Sequence, residues 1–439
     1  MKRIIIPLVA VLGLLISTDM AFSQSKYKLL PSFSLKEEYN DNILLTLNDR
    51  EDDFITEASP ALKLEYHPNS VFDLDLMYRL EFEIYSQNSE NNDETHYVNL
   101  KSQIRPFNRV FIDLSDSYNR VSVDARSASG IDNSLVNKTE KNVFSVTPYV
   151  QFPLGSPSLT ATMGYGYKNI WYKSALGNDA NSHELFATIS KRFQSKTEAS
   201  VTYNFLSYST VAINEYDRHA ISAAASYMAA SNIKLWGTAG YSSIDFKTAA
   251  SENKGSWQAG IDYDLQDTAI SSGGSYSVSY VTSEADAVSY SSPSAEQFTE
   301  NPARDFDTST SIGTGLSERR VLNIYLNAGM KYKLRMNAYH TEEKEIKTSR
   351  SDRIQGVSLM VSSKLTPKVM VSVDTLFEDQ RFEPEHDKVG RFSLGGNLNY
   401  RVSEKINASL GYRFNKRETD KNTDEYFNNI VSLFAQVNF

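Results

Sequence analysis

From Arg320 to Ala338 the chain reads RVLNIYLNAGMKYKLRMNA, and its polarity alternates residue by residue. Leu322, Ile324, Leu326, Ala328, Met330, Tyr332, Leu334, Met336 and Ala338 take the even positions. Asn323, Asn327, Lys331, Lys333, Arg335 and Asn337 take odd ones. Successive side chains of an extended strand point to opposite faces, so this run makes a sheet with one apolar and one charged face. A helix would scatter the basic residues around its circumference. The spacing predicts one strand over 320–338, well beyond the five or six residues usual in soluble sheets. Strands that cross a bilayer at a tilt and extend beyond it reach such lengths.

The pattern recurs. Phe72, Leu74, Leu76, Tyr78, Leu80, Phe82 and Ile84 alternate with Asp73, Asp75, Arg79, Glu81 and Glu83. Ile406 to Asn415 and Phe392 to Arg401 repeat it, and weaker versions run through Leu159–Tyr167, Ala199–Phe205 and Ile233–Tyr241. Short turns are expected at His67–Ser70, Gly155–Ser158, Ser195–Lys196, Ser231–Asn232, Thr366–Lys368 and Glu404–Lys405. Longer polar connections are expected at Leu47–Asp53, Asn88–Glu94, Asp124–Thr139, Ala287–Arg304, His340–Ser351 and Arg417–Asp424. Alternating short and long connections define an all-β, transmembrane, antiparallel up-and-down β-barrel with short periplasmic turns. Counting hairpins from Tyr27 to Phe439 gives about 20 strands, with 18 as the neighbouring count, in one domain over 24–439. A barrel this wide leaves room for water or inward-folded loops.

Residues 1–23 carry the parts of a cleaved signal peptide: basic Lys2 and Arg3, the apolar run Ile4–Ile16, and small Ala21 and Ser23 before Gln24. The apolar run is too short to span a bilayer as a helix, and no cysteine follows it to carry a lipid. The other end reads FNNIVSLFAQVNF, with Val431, Leu433, Val437 and the terminal Phe439 on one face. That strand resembles the terminal signal by which outer-membrane proteins are passed to the barrel-insertion machinery. Together these features place the chain in the outer membrane of a Gram-negative bacterium, among outer-membrane lipid and lipopolysaccharide. The 26 tyrosines and 22 phenylalanines suit membrane-interface girdles, where one end of a ring meets lipid and the other water. The net charge of −9 argues against a nucleic-acid partner, and the absence of cysteine excludes disulfides and thiolate chemistry.

Residues 37–62 resemble the opening hairpin of an outer-membrane β-barrel porin family associated with exosortase (PEP-CTERM) and exopolysaccharide systems. The matching residues are Tyr39-Asn40-Asp41-Asn42-Ile43, then Asp52-Asp53-Phe54-Ile55-Thr56 followed by Ser59-Pro60. The resemblance implies a porin-like barrel linked to polysaccharide production or export, with polysaccharide and its periplasmic export apparatus as partners. It supplies no catalytic residue. Read as residues alone, Asn40, Asp41 and Asn42 suit a strand-to-loop exit. Asp49, Glu51, Asp52 and Asp53 read as an acidic outer loop, solvated or able to hold a divalent ion.

No enzyme motif appears. His67, His96, His183, His219, His340 and His386 lack metal-ligand spacing, and there is no nucleophile elbow or phosphate loop. No cofactor or metal site is expected. The inward face offers more: Glu57, Glu65, Asp73, Asp75, Glu81 and Glu83 form an acidic sector on early strands, and Lys331, Lys333, Arg335, Arg391, Arg401 and Arg413 a basic one on late strands. Inward charges must be paired or hydrated. If the sectors face each other across a lumen, they create a transverse field that selects solutes by charge. The function expected is a porin-like channel or conduit. The alternatives are a loop-plugged docking barrel and a lipid- or glycan-modifying enzyme.

Overall fold

The computed structural model describes residues 27–439 except 70, 123–126, 128–134, 175–176, 194–195, 211–214, 266–269, 283–315, 330–331, 349 and 421–423. The predicted leader, with Ala21, Ser23 and Gln24, lies outside the described residues, as does Lys331.

Alternation becomes twenty strands. The first ten are β1 (Tyr27–Asn40), β2 (Asp53–Asn69), β3 (Phe72–Tyr85), β4 (Asp93–Phe107), β5 (Val110–Ser122), β6 (Lys138–Pro153), β7 (Leu159–Tyr172), β8 (Ala180–Phe193), β9 (Thr197–Thr210) and β10 (Tyr216–Ala230). The second ten are β11 (Ile233–Phe246), β12 (Glu252–Leu265), β13 (Ile270–Thr282), β14 (Leu316–Ala328), β15 (Tyr332–Glu345), β16 (Ser351–Lys364), β17 (Val369–Glu383), β18 (Asp387–Arg401), β19 (Ile406–Thr419) and β20 (Tyr426–Asn438). Each pairs antiparallel with its sequence neighbours. The sheet closes where Ser32–Asn40 of β1 lies opposite Asn438–Ile430 of β20. Closure pairs the backbone groups that an open edge would leave bare in lipid. Connections at one end are two to five residues long, and those at the other run from three residues to thirty-three. By the usual rule the short-turn end, which carries both termini of the barrel, is periplasmic.

The longest predicted strand is instead a hairpin. Residues 320–338 fold back between Ala328 and Tyr332, giving the end of β14 and the start of β15. Ala328 stands opposite Leu334 and Asn327 opposite Arg335, so the even residues stay on one face through the turn and the alternation is unbroken. Gly329, at φ +146°, makes the reversal; a Cβ there would lie 1.8 Å from the Tyr332 carbonyl oxygen. Two expected loops shrink as well. His340–Glu345 belongs to β15 and Arg417–Thr419 to β19, so strands run further into the outer space than their charge suggests.

Facing is uniform. The even residues of β19 that point outward, Leu410 and Tyr412, are half exposed, as are Val201, Tyr203, Ile221, Ile261 and Leu433 on other strands. An apolar belt open on the outside is what a lipid solvent requires. Inward side chains follow a gradient along the barrel axis. Near the turns they are exposed or half-buried, whereas toward the loops they are buried, as at Glu38, Glu83, Tyr216, Ile244, Gln380 and Arg417.

Loops help close the outer end. Ile43, at 0% exposure, packs on inward-facing Ile55 and Tyr85 together with Leu135. Leu45 packs on inward-facing Tyr426 together with Val136. The Ser127 carbonyl, between β5 and β6, accepts a 3.1 Å bond from Nη1 of Arg417 on β19.

Candidate functional site: the lumen wall

The inner wall has two unlike arcs near its outer end. On β7–β14, Ile170, Tyr172, Ala180, Leu206, Tyr208, Tyr216, Ile244, Phe246 and Leu316 form one apolar cluster. On β15–β20 and β1–β5 buried polar and charged side chains stand among apolar ones such as Ile55, Phe382 and Tyr426, and there the ion pairs concentrate.

The late strands carry a layered network. Arg413 on β19 lies 3.2 Å from Asp374 on β17, and its Nη1 also donates to Ser393 Oγ at 3.3 Å. The partners stand two strands apart, with Gly395 of β18 between them in register. A Cβ on Gly395 would come within 2.6 Å of the Asp374 carboxylate, so only glycine leaves the two side chains room to meet over it. The device repeats one hairpin back. The Tyr339 hydroxyl donates to Glu378 over Gly356, where a Cβ would be 2.5 Å from the Tyr339 oxygen. Tyr325 donates to Asp262 at 3.0 Å over Gly273 in the same way. Glu378 also accepts from Gln380 Nε2 at 2.5 Å and faces Arg391 at 3.7 Å. The side chains of Arg391 and Glu378 are no more than 4% exposed, so the two charges face each other and the neutral donors add to the support of the Glu378 carboxylate.

The early strands are paired just as locally. Lys36 of β1 lies 2.5 Å from Glu38 and 2.8 Å from Glu57. Glu65 is flanked by Lys63 at 2.5 Å and Lys28 at 3.4 Å. Arg79 is 3.4 Å from Glu81, which also accepts from the Tyr97 hydroxyl at 3.0 Å. Arg120 is 2.8 Å from Glu83 and reaches Asp93 as well. Asp73 meets His67 and Arg105, and Asp75 meets the same histidine at 3.5 Å.

By alternation along their strands, the described residues of the two charged sets share the face opposite the apolar belt; Lys331 lies outside the described residues. The basic sector is split. In the closed ring, β18 and β19, which carry Arg391, Arg401 and Arg413, are separated from β2 and β3 only by β20 and β1 and so flank the seam beside the acidic sector, whereas Lys333 and Arg335 on β15 stand seven strands from β2. Lys333 and Arg335 sit at the turn end of β15, and Arg401 at the turn end of β18. Among the described residues these three have no carboxylate partner, unlike Arg391 and Arg413. Sequence reading missed the counter-ions Asp374 and Glu378, and Gly356 and Gly395, because partners two strands apart leave no local signal.

The resembling hairpin turns out to be a clasp at the seam. The Asn429 amide donates to Asp41 Oδ1 at 2.7 Å, and its side chain to Asp41 Oδ2 at 2.8 Å. Asn42 Nδ2 reaches the Phe427 carbonyl at 2.9 Å, and Asn428 Nδ2 reaches Asn40 Oδ1 at 3.3 Å. Arg50 lies 2.5 Å from Asp41 and covers the Phe427 ring at 4.2 Å. Burial raises the Asp41 pKa, but the Asn429 bonds and the Arg50 guanidinium outweigh it and hold the carboxyl below its ordinary value. Asp53 corrects the acidic-loop expectation. It is the first residue of β2, fully buried, and its carboxylate accepts from the backbone of Ser86, Gln87 and Asn88 and from the Ser86 hydroxyl. It anchors the β3–β4 connection and does not line a solvated ion site. Among the described residues no group of three or more histidine or carboxylate side chains is placed to hold a metal. At the other end, Val431 and Leu433 face lipid, and the Phe439 amide donates to the Pro31 carbonyl at 3.0 Å.

Set beside solved structures, the chain resembles outer-membrane barrels over nearly its whole length. The siderophore receptor PirA from Pseudomonas aeruginosa matches at a TM-score of 0.51 and 9% identity, over 94% of this chain and 80% of the receptor. The copper transporter OprC follows at 0.47 and 10% identity, over 94% and 80%. OccK1 of Pseudomonas aeruginosa follows at 0.42 and 9% identity, over 94% and 98%. No family model and no curated protein matches the sequence. At such identities the likeness is one of fold. The closed barrel and its lipid-facing belt, with the likeness in fold to PirA, define an outer-membrane β-barrel of a Gram-negative bacterium.

Proposed function

We propose that this barrel is a passive channel for hydrophilic solutes, working beside exopolysaccharide production or export, with a leader cleaved before Gln24 and no catalytic role of its own. The observation that carries the channel reading is the periplasmic half of the wall, where Lys333, Arg335 and Arg401 face inward without a carboxylate partner among the described residues and so require water around them. The buried, self-neutralised outer half would then be the narrow zone that decides passage. The polysaccharide setting rests on the resemblance of residues 37–62 alone. Purified barrel in planar bilayers tests the channel, and stepwise single-channel conductance is the expected result. A silent bilayer, with correctly folded and inserted protein, would replace the channel by the second reading, a loop-plugged docking barrel. That reading is favoured by Ile43 and Leu45, which pack on inward-facing Ile55, Tyr85 and Tyr426 at the mouth.

A further inference from the structure

Outside the barrel, one arrangement occurs three times. The hydroxyls of Tyr78, Tyr165 and Tyr203 lie 2.8, 2.6 and 2.8 Å from Nδ1 of His96, His183 and His219. Ring centroids are 6.0, 6.1 and 6.3 Å apart, at interplanar angles of 32°, 33° and 35°. Each tyrosine is the seventh residue of a strand rising from the periplasmic turns (β3, β7, β9), and each histidine is the fourth of the next strand descending from the loops. The partners are diagonal neighbours: Tyr78 stands opposite Val98, and His96 opposite Leu80. All six side chains project from the lipid face, and the histidines are exposed.

A phenol on an apolar wall needs an acceptor for its proton, because a bare hydroxyl in hydrocarbon costs several kcal/mol. Nδ1 is the acceptor in reach. A neutral imidazole that accepts at Nδ1 carries its own proton on Nε2. The closing hairpin supplies a contrast. Tyr412, seventh in β19, donates at 2.8 Å to Oδ1 of Asn429, fourth in β20, but the Asn429 amide nitrogen is already spent on Asp41. At the three histidines no group among the described residues takes the Nε2 proton. The tyrosine thus fixes the tautomer, and a fixed N–H donor is presented on the lipid face near the loop end of each strand.

We propose that His96, His183 and His219 form a set of N–H donors for the phosphate groups of outer-leaflet lipid, spread over the arc β3–β10. Phosphate oxygens only accept, so the donor set matches them in sense, and a partly dehydrated interface strengthens each contact. The assignment is independent of whether the lumen conducts, so a silent bilayer leaves it standing.

The test uses the full barrel labelled with ¹⁵N-histidine in a phosphate-free detergent. Without lipid, the three side chains should show the Nε2–H tautomer; a dominant Nδ1–H form at these sites would end the proposal. Phosphorylated lipid A should then move the three Nε2 resonances, whereas dephosphorylated lipid A and inorganic phosphate at equal concentration should not. The combined variant H96F/H183F/H219F, first checked for heat-modifiable migration, should bind phosphorylated lipid A about tenfold more weakly, the loss expected for one or two charge-assisted hydrogen bonds. In Tyr78→Phe/Tyr165→Phe/Tyr203→Phe, which keeps every histidine, the tautomers should become mixed. Equal binding of the two lipids, or an equal response to free phosphate, would overturn the lipid assignment.

Discussion

The two halves of the lumen wall use the same residue types to opposite ends. From mid-height toward the loops, Arg413 and Asp374, then Arg391 and Glu378, are buried and answered by neighbours within one or two strands. Toward the turns, Lys333 and Arg401 are exposed, and with Arg335 they face no carboxylate among the described residues. A charge in the first setting is part of the packing, and removing it leaves its partner stranded. Unlike Glu65, Asp73 and Asp75 beside the β2–β3 turn, which are paired, these basic groups sit in water, and removing them alters mainly the field. An inward-pointing arginine therefore says little about selectivity until its height along the strand is known.

Replacing Arg413 by Met should have the largest effect, because it leaves Asp374 buried and uncompensated, at a cost of about 3–5 kcal/mol. Denaturant unfolding from lipid vesicles measures it, and Arg401→Met should be close to neutral beside it. If the two cost the same, the difference between the halves does not exist. The faces themselves are tested next. Leu410→Arg, on the lipid side of β19, should cost about 2–4 kcal/mol near the bilayer midplane, and its inward neighbour Ser409→Arg far less. A third experiment concerns the room that glycine leaves. Gly395→Ala should cost about 1–3 kcal/mol by pushing Asp374 from Arg413, whereas Gly396→Ala, with open space around its Cβ, should be tolerated.

Two smaller effects sharpen the contrast. In reconstituted channels, Lys333, Arg335 and Arg401 changed together to Gln should shift the reversal potential toward cation preference. The shift should fade as the Debye length falls from about 10 Å at 0.1 M salt to about 3 Å at 1 M. Neutralising the pair Asp374 and Arg413 together should leave it nearly unmoved, and equal shifts in both variants would erase the distinction. The seam clasp should respond to acid. Asp41 has a depressed pKa in the folded state, so its contribution is complete above the ordinary carboxylate value and is lost as pH falls through the lower, folded one. Protease cleavage in loop 41–52 should therefore rise on acidification in the wild type. Asp41→Asn should cleave readily at neutral pH already, and identical pH profiles for the two proteins would remove Asp41 from the clasp.

Much of this was legible in the residues. Period-2 polarity fixes which side chain meets lipid and which the interior, because the pleat admits no other choice. It assigned the faces of β3, β14, β15, β18 and β19 and brought the strand count to the observed twenty. The same regularity misled at 320–338, since a turn that returns the chain in phase leaves alternation intact; only Gly329 marked the reversal. Asp53 was hidden for a different reason. A carboxylate at the end of an acidic stretch looks solvated until the β3–β4 connection folds its amide groups onto it.

The sequence by itself thus determined the class of fold, the two faces of each strand and the list of charges sent inward, all of which follow from local geometry and the need to match lipid on one side. Tertiary structure alone decided which of those charges are neutralised. Closing the ring brings β18 and β19 beside β1–β3 across the seam, and glycines let side chains two strands apart touch. Charges such as Lys333 and Arg401, near the turns, are left to the water. Pairing depends on distances between strands far apart in the chain, and a pattern of alternating residues does not encode them.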